Sequence, residues 1–181
     1  MLQIKLECLT LIKLIQYFFV MFTKLDKTKY LPGDKPIMAW DGNCGFCHYW
    51  VLRWKMFSGD SVIYEPYVKV APKFPDIDLR YFKQAVRLID VDGKIYSGPA
   101  AAFRSFRYGK KYRWLLPLYE KCKIVELIAD HTYRFISKNR PFMYKLAVAM
   151  WGKNPVKQKP YWLIYLGSLI FIFAGISFIA S

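Results

Sequence analysis

Two cysteines separated by two residues lie where a short predicted strand passes into a predicted helix. Residues 36–40 are apolar enough for a buried strand, and residues 46–57 repeat apolar side chains at helical spacing. Between them, residues 41–43 (Asp-Gly-Asn) have the composition of a turn and a helix cap. Cys44 therefore falls at the start of the helix, where free backbone N–H groups and the helix dipole stabilise a thiolate. Cys47 follows one turn later, within reach of a disulfide.

This dithiol predicts thiol–disulfide exchange. Cys44 is expected to be the attacking thiolate and Cys47 the thiol that resolves the mixed disulfide. His48, four residues after Cys44, can stabilise the thiolate as an imidazolium, and Asp41 can accept a proton from Cys47 or disfavour thiolates by its charge. The plainer alternatives are an exposed helical His48, a turn at Asp41 in which Asn43 caps the helix, and two cysteines that merely fill the core.

Two metal-containing sites are alternatives for the same residues. The run Cys44-x-x-Cys47-His48 also satisfies the pattern of covalent haem c attachment, but that chemistry requires export, which the topology predicted below disfavours. A zinc site needs four ligands. The other candidate ligands, which are scattered along the chain without a second C-x-x-C, are Cys8, Cys122 and His131. We therefore expect no metal and no cofactor. We interpret Cys122 and His131 as packing or surface groups.

The C-terminal end predicts a membrane anchor. The chain of 181 residues is 55% hydrophobic, and residues 162–180 contain no charge. At about 1.5 Å per residue, this run can just cross a hydrocarbon core of about 30 Å. Lysines directly before it predict that the preceding domain is cytoplasmic. We therefore predict a transmembrane helix over residues 161–180, which acts as a C-terminal single-pass anchor.

The N-terminal segment, residues 1–23, has an amphipathic pattern. Its apolar residues fall on one helical face: Ile4, Cys8, Leu11, Ile15, Phe18 and Phe22. Charges at Lys5, Glu7 and Lys13 disfavour a simple membrane span, so the first expectation is a membrane-associated helix that lies in the interface. A membrane span, a helix packed on the protein's own domain, and an over-long start that truly begins at Met21 are the alternatives.

The charge distribution bears on the expected partners. The net charge is +15, and between residues 101 and 160 there are 14 Lys or Arg against only Glu120, Glu126 and Asp130. Such a surface suits nucleic acid or an anionic membrane leaflet. No nucleic-acid motif accompanies the charge, so we expect membrane lipid and a membrane-protein partner or substrate, and no nucleic acid.

The order of predicted elements indicates an α/β fold. Strand 36–40, its helix and strand 61–65 are followed by an irregular segment with prolines and one helical turn near residues 79–82. Strands 85–90 and 94–97 flank the turn signal Asp92-Gly93. The chain then becomes helical over 99–107, 112–120, 123–138 and 142–151. Residues 36–152 thus have the element order of a thioredoxin-like core with extra C-terminal helices.

Three blocks in this order resemble the DCC family, whose members are named as thiol–disulfide oxidoreductases. The first two blocks are residues 40–47 (WDGNCGFC) and residues 88–98 with 101–103. The third consists of particular residues of the closing helices: residues 112–115 (YRWL), Pro117, Tyr133 and Asn139-Arg140. The resemblance implies a small thioredoxin-like domain over about residues 36–152, with Asp41, Cys44 and Cys47 as the family's signature. Family members often accompany or are fused to multi-helix membrane proteins.

One departure concerns the substrate groove. Redox-active thioredoxins carry a cis-proline just before the third core strand, whereas residues 79–85 contain no proline.

The sequence therefore supports two functions. One is a membrane-anchored thiol–disulfide oxidoreductase that faces the cytoplasm and is re-reduced by a dithiol electron donor that the sequence does not identify. The other is a non-catalytic accessory subunit of a membrane protein complex, in which the domain and its helices serve for docking.

Overall fold

A computed structural model describes residues 22–179, with side chains described through Ile170. It is an α/β structure built on one four-stranded sheet. The strands are β1 (Ile37–Trp40), β2 (Ile63–Pro66), β3 (Arg87–Ile89) and β4 (Ile95–Ser97). The helices are α1 (Gly45–Ser58), α2 (Tyr67–Val70), α3 (Leu79–Gln84), α4 (Pro99–Arg107), α5 (Leu115–Lys121), α6 (Lys123–Lys138), α7 (Arg140–Trp151) and α8 (Tyr161–Ile179).

The sheet has the order β2-β1-β3-β4. Strands β1 and β2 are parallel because α1 carries the chain across between them, and β3 and β4 add as an antiparallel hairpin. The turn between β3 and β4 contains Gly93 at φ +81°, a left-handed conformation that glycine adopts without steric cost. The Gly93 N–H donates to the Asp90 carbonyl over 2.8 Å. The predicted hairpin and its turn are therefore confirmed.

Alternate side chains of the strands divide the core into two layers. On one face, Ile37 and Ala39 of β1 pack with Phe74 and Phe82 from the segment between β2 and β3. On the other face, Met38 packs with residues of β3 and α4. Both faces of β1 are thus buried, as the continuous apolar run predicted. Because β1 is held on both sides, its C-terminal end at Trp40 is a fixed point for the loop that follows.

The predicted elements agree closely with the observed ones, except that two short helical turns after β2 were not predicted. Helices 99–107 and 123–138 have the predicted bounds. The segment expected to be irregular instead contains α2 and a 3₁₀ turn over Ala71–Lys73. Pro66 caps α2 and Pro72 stands in the first turn of the 3₁₀ helix, positions where the missing N–H costs nothing. The prolines therefore start helical turns here rather than prevent them.

The predicted C-terminal anchor is not supported. Within residues 22–179, no helix combines the length and the apolar character that are needed to cross a bilayer. Helix α8 has 19 residues, and its first turns are attached to α7, since the Tyr165 hydroxyl donates to the Ala149 carbonyl over 3.2 Å. The prediction of a transmembrane helix over 161–180 is wrong, and so is the membrane localisation with a cytoplasmic main domain that rested on it.

The predicted amphipathic helix over residues 1–23 lies almost wholly outside the described residues, which begin at Phe22. The chain that follows runs along the free edge of β4: the Thr28 N–H donates to the Gly93 carbonyl, and the Ile95 N–H donates to the Asp26 carbonyl, both over 2.9 Å. Lys24 forms ion pairs with Glu126 and Asp130 of α6. These contacts cover an edge strand that would otherwise be open to pairing with another chain.

A buried charge cluster joins α4 to the β3–β4 hairpin. The Asp90 side chain is only 2% exposed, and its Oδ2 accepts hydrogen bonds from Nε and Nη2 of Arg104, each over 2.6 Å. The Tyr108 hydroxyl donates to Oδ1 of the same carboxylate, and burial together with this bond raises the pKa of Tyr108 to about 12. The Tyr108 hydroxyl therefore stays neutral and donates its proton to Oδ1 of Asp90, while the Arg104 guanidinium binds Oδ2.

We expect Arg104→Gln to lower the free energy of unfolding by about 2 kcal/mol, because it leaves the Asp90 carboxylate buried without a cation. The loss is smaller than the about 3–5 kcal/mol of a fully buried pair, since Arg104 is one quarter exposed. The matched control is Arg107→Gln, an exposed arginine on the same helix, which is expected to change stability by less than about 0.5 kcal/mol. Urea denaturation measures both variants, and equal losses would contradict the cluster's role.

Candidate functional site

The loop between β1 and α1 is held in a tight turn. The carboxylate of Asp41 accepts the Asn43 N–H over 3.1 Å, and the Asp41 carbonyl accepts the Cys44 N–H over 3.1 Å. Gly42 packs directly against the end of β2, since a Cβ built on it would lie 2.9 Å from Cβ of Pro66. A side chain at this position would have to displace Pro66, so this close approach favours glycine.

Cys44 is the N-cap residue of α1. Its backbone is extended, with φ −103° and ψ 108°, and its Sγ accepts the Cys47 N–H over 3.1 Å. The alternative in which Asn43 caps the helix is therefore wrong, because the sulfur itself takes the capping position. The two cysteines are joined as a disulfide with their Cα atoms 5.1 Å apart, within the usual range for such a bond.

The surroundings of Cys44 favour negative charge on its sulfur. Helix α1 is 14 residues long and has no acidic residue in its first turn, so the positive end of its dipole is not neutralised from within the helix. In the reduced protein the same Cys47 N–H can stabilise a thiolate at Cys44. Both cysteines are partly exposed, and a further partner is thus able to reach the sulfurs.

Asp41 is bound by an arginine from a distant part of the chain. Nη1 of Arg140, 99 residues further on at the start of α7, donates to Oδ2 of Asp41 over 2.9 Å. The two side chains border a cavity of about 360 Å³ that Cys44 and Tyr144 also line. The predicted proton transfer from Cys47 to Asp41 stays a prediction, because the contacts of the carboxylate are with Arg140 and the Asn43 N–H.

Arg140 is the functional candidate that sequence reasoning did not assign. The sequence contained a signal, since Asn139-Arg140 belongs to the closing helical block of the family resemblance. That block carried no role because nothing in the spacing showed that α7 returns to the dithiol. The structure shows this return, since α1 and α7 are in contact.

His48 lies against a tryptophan. Its ring is exposed and stacks on Trp40, with ring centroids 5.5 Å apart and planes inclined by 16°. This contact fixes the imidazole beside the last residue of β1. A role for His48 in stabilising the Cys44 thiolate stays a prediction.

An apolar pocket lies beside the dithiol, on the side of Cys47. It has a volume of about 260 Å³ and Asp41 and Arg140 at its border. Its aromatic walls come from α1, α4 and the end of β1: Trp40, Phe46, Trp50, Trp54, Phe103 and Phe106. The pocket exists because α6 and α7 return over these elements, and it places apolar surface beside Cys47.

The segment before β3 also lines this pocket. Ala85 and Val86, directly before β3, line the pocket, and among residues 22–179 no peptide bond is cis. The Val86 N–H donates to the Tyr133 hydroxyl of α6 over 3.0 Å. This backbone donor is therefore already engaged within the protein.

The remaining candidate ligands are apart from this site. Cys122 is a partly buried free thiol at the start of α6, and Nδ1 of His131 is 2.8 Å from the Leu127 carbonyl. In the part of the chain that the structure describes, no group of three His, Cys, Asp or Glu side chains is arranged to hold a metal ion. Cys8 lies outside that part.

No protein-family model, no curated protein and no solved structure matches this chain. The resemblance to the DCC family therefore stays a prediction.

The ion pair predicts an electrostatic effect on the dithiol. In the reduced protein, Arg140→Gln is expected to raise the pKa of Cys44 by about 0.5, because the Asp41 carboxylate loses its cation and disfavours a nearby thiolate. Asp41→Asn in the same chain should abolish this rise, so the double-mutant cycle isolates the pair. The measurement is the pH dependence of alkylation of Cys44.

The matched control for these variants is Lys138→Gln. It removes an exposed cation at the C-terminal end of α6, close to Arg140 in the sequence. It is expected to leave the Cys44 pKa unchanged. An equal rise in this variant, or a rise in Arg140→Gln that persists with Asp41→Asn, would show that the effect does not come from the pair.

Proposed function

We propose that the protein is a thiol–disulfide oxidoreductase that uses Cys44 as the attacking thiol and Cys47 as the resolving thiol. The observation that carries the proposal is the position of Cys44 as N-cap of α1, with its sulfur accepting the Cys47 N–H and bonded to the Cys47 sulfur. A helix start lowers the cost of a thiolate, and the one-turn spacing provides an intramolecular partner for the second step.

The exchange proceeds in two balanced steps. The Cys44 thiolate attacks one sulfur of a substrate disulfide, which breaks the substrate S–S bond, forms a mixed disulfide and releases the first substrate thiolate. Cys47 then loses its proton to solvent and attacks the Cys44 sulfur, which forms the Cys44–Cys47 disulfide and releases the second thiolate. Two electrons pass from the protein to the substrate, and each released thiolate takes up a proton. A dithiol reductant returns the protein to its starting state by the reverse chemistry.

The neighbouring charges have supporting roles in this proposal. Arg140 neutralises Asp41, so that the carboxylate does not oppose the thiolate at Cys44. His48, held on Trp40, adds positive charge at the same end of α1 when it is protonated.

A second candidate is a non-catalytic subunit of a protein complex. The observation that favours it is a set of exposed apolar side chains on α6 and α7, each between 52% and 69% exposed: Ile124, Leu127, Ile128, Phe135 and Phe142. Grouped apolar exposure of this kind is typical of surfaces that bind another protein. The oxidoreductase requires Cys44 and Cys47 to exchange with a disulfide, whereas the non-catalytic subunit does not. A thiol–disulfide exchange assay therefore distinguishes the two candidates.

We expect reduced protein with Cys47→Ser to accumulate a stable mixed disulfide with glutathione when it is mixed with glutathione disulfide, because the resolving thiol is missing. Cys44→Ser should form far less, since its remaining sulfur lacks the helix-start position. Both variants are made in the full chain with Cys8 and Cys122 replaced by serine. Intact-protein mass spectrometry measures the adducts.

The same background with both Cys44 and Cys47 present is the control, and it is expected to form the internal disulfide and release both glutathione molecules. We expect the pKa of Cys44 in it to lie below the free-thiol value of about 8.5. A Cys44 pKa at the free value, with no difference between the two serine variants, would favour the non-catalytic candidate.

A further inference from the structure

We propose that the pocket beside Cys47 binds a bulky apolar side chain of a substrate polypeptide, close to the substrate's reacting disulfide. The inference rests on the proposed function and extends it to a class of substrate. The pocket is named here the tryptophan pocket, after Trp40, Trp50 and Trp54 in its wall. Its occupant is a phenylalanine-like side chain within a few residues of the cysteine that Cys44 attacks.

The tryptophan pocket is continuous with the reacting atoms. Cys47 is itself part of its wall, and Asp41 and Arg140, which pair across its border, also line the cavity around Cys44. A side chain in the pocket would therefore hold the adjoining substrate backbone over the disulfide. Fixing a substrate in this way raises the rate of attack because the two sulfurs no longer have to find each other by diffusion.

The chemistry of the wall selects an apolar group. Phe82 of α3 is a further aromatic member of the wall, and Val51, Ala102 and Ile136 complete its apolar surface. Three charged residues line the pocket: Asp41 and Arg140 pair with each other over 2.9 Å, and Lys83 of α3 is exposed to water. A charged substrate group that enters between the aromatic side chains would lose its water without gaining a counter-ion from the Asp41–Arg140 pair, whereas an aromatic or aliphatic group gains contact on several sides.

The size of the tryptophan pocket favours one side chain over a larger free ligand. Its volume of about 260 Å³ lies just under the range of about 300–1,000 Å³ that is usual for sites of drug-sized molecules. One aromatic ring with its adjoining main chain fits this space. The indole N–H groups of Trp40 and Trp50 are buried and have no acceptor among the described residues.

The backbone next to the pocket gives a second reason for side-chain recognition. The Val86 N–H, which lies before β3 beside the pocket, donates to the Tyr133 hydroxyl and is not free to bind a substrate strand. Burial raises the pKa of Tyr133, so its hydroxyl stays neutral and keeps this contact. The substrate must then be held by other means, and the tryptophan pocket provides apolar surface at the same place.

The test uses reduced full-length protein and short peptides, each carrying one cysteine in a disulfide with glutathione. Phenylalanine is placed one, two or three residues to either side of the cysteine, and the matched peptide has serine at the same position. We expect at least one phenylalanine peptide to be reduced about tenfold faster than its serine partner, the discrimination that one apolar group provides. Release of the peptide thiol is followed by chromatography under second-order conditions.

Two variants on α6 locate the effect. Ser137 lines the pocket, and Ser137→Trp is expected to bring the phenylalanine-to-serine rate ratio to about 1 by filling the space. Thr132→Trp adds the same bulk at an exposed position on the same helix and should keep the ratio of the parent protein. Far-ultraviolet circular dichroism confirms that both variants are folded. If Ser137→Trp does not fold, Ser137→Leu replaces it, with a partial fall in the ratio expected.

The reaction with glutathione disulfide tests the proposed function separately from the inference about the tryptophan pocket. If the protein does not reduce it, the proposed function fails. If it reduces glutathione disulfide but no phenylalanine peptide exceeds its serine partner by more than about twofold, the inference fails and the proposed function stands. A ratio that is equally high in Ser137→Trp would also overturn the inference, because the preference would then arise outside the tryptophan pocket.

Discussion

The structure of the site depends on the close contact between Gly42 and Pro66. It places the loop after β1 against the end of β2, directly before α1 begins. Strand β1, which leads into this loop, is buried on both faces. The Cys44 sulfur occupies the capping position of α1, where the backbone N–H groups and the helix dipole favour negative charge.

The helices after β4 convert this local arrangement into a site. Arg140 reaches back from α7 to Asp41, and α6 and α7 complete the pocket beside Cys47. Without these helices, Asp41 would be an uncompensated charge next to the dithiol, and the aromatic side chains of α1 and α4 would be open to water. The additional helices thus have two physical effects on the same sulfurs: they neutralise one nearby charge and they surround the approach with apolar surface.

Local patterns predicted most of the fold, and they failed where the outcome depends on contacts between distant residues. The strand–turn–helix around Cys44, the hairpin at Asp92-Gly93 and helix 123–138 follow from composition and periodicity. The pairing of Asp41 with Arg140 does not, because no spacing in a single sequence reveals a contact across 99 residues. The uncharged run after residue 161 was misinterpreted as a membrane span, since no helix within residues 22–179 has both the length and the apolar character to cross a bilayer.

The central claim is that the start of α1 makes the Cys44–Cys47 disulfide an exchangeable one rather than a structural cross-link. The most direct test is its reduction potential in the folded full-length protein, measured by equilibration with a series of dithiothreitol buffers. Stabilisation of the reduced form by the helix start predicts a reversible potential above about −300 mV, in the range of catalytic disulfides. A potential below about −300 mV, or reduction only when the protein is unfolded, would contradict the account.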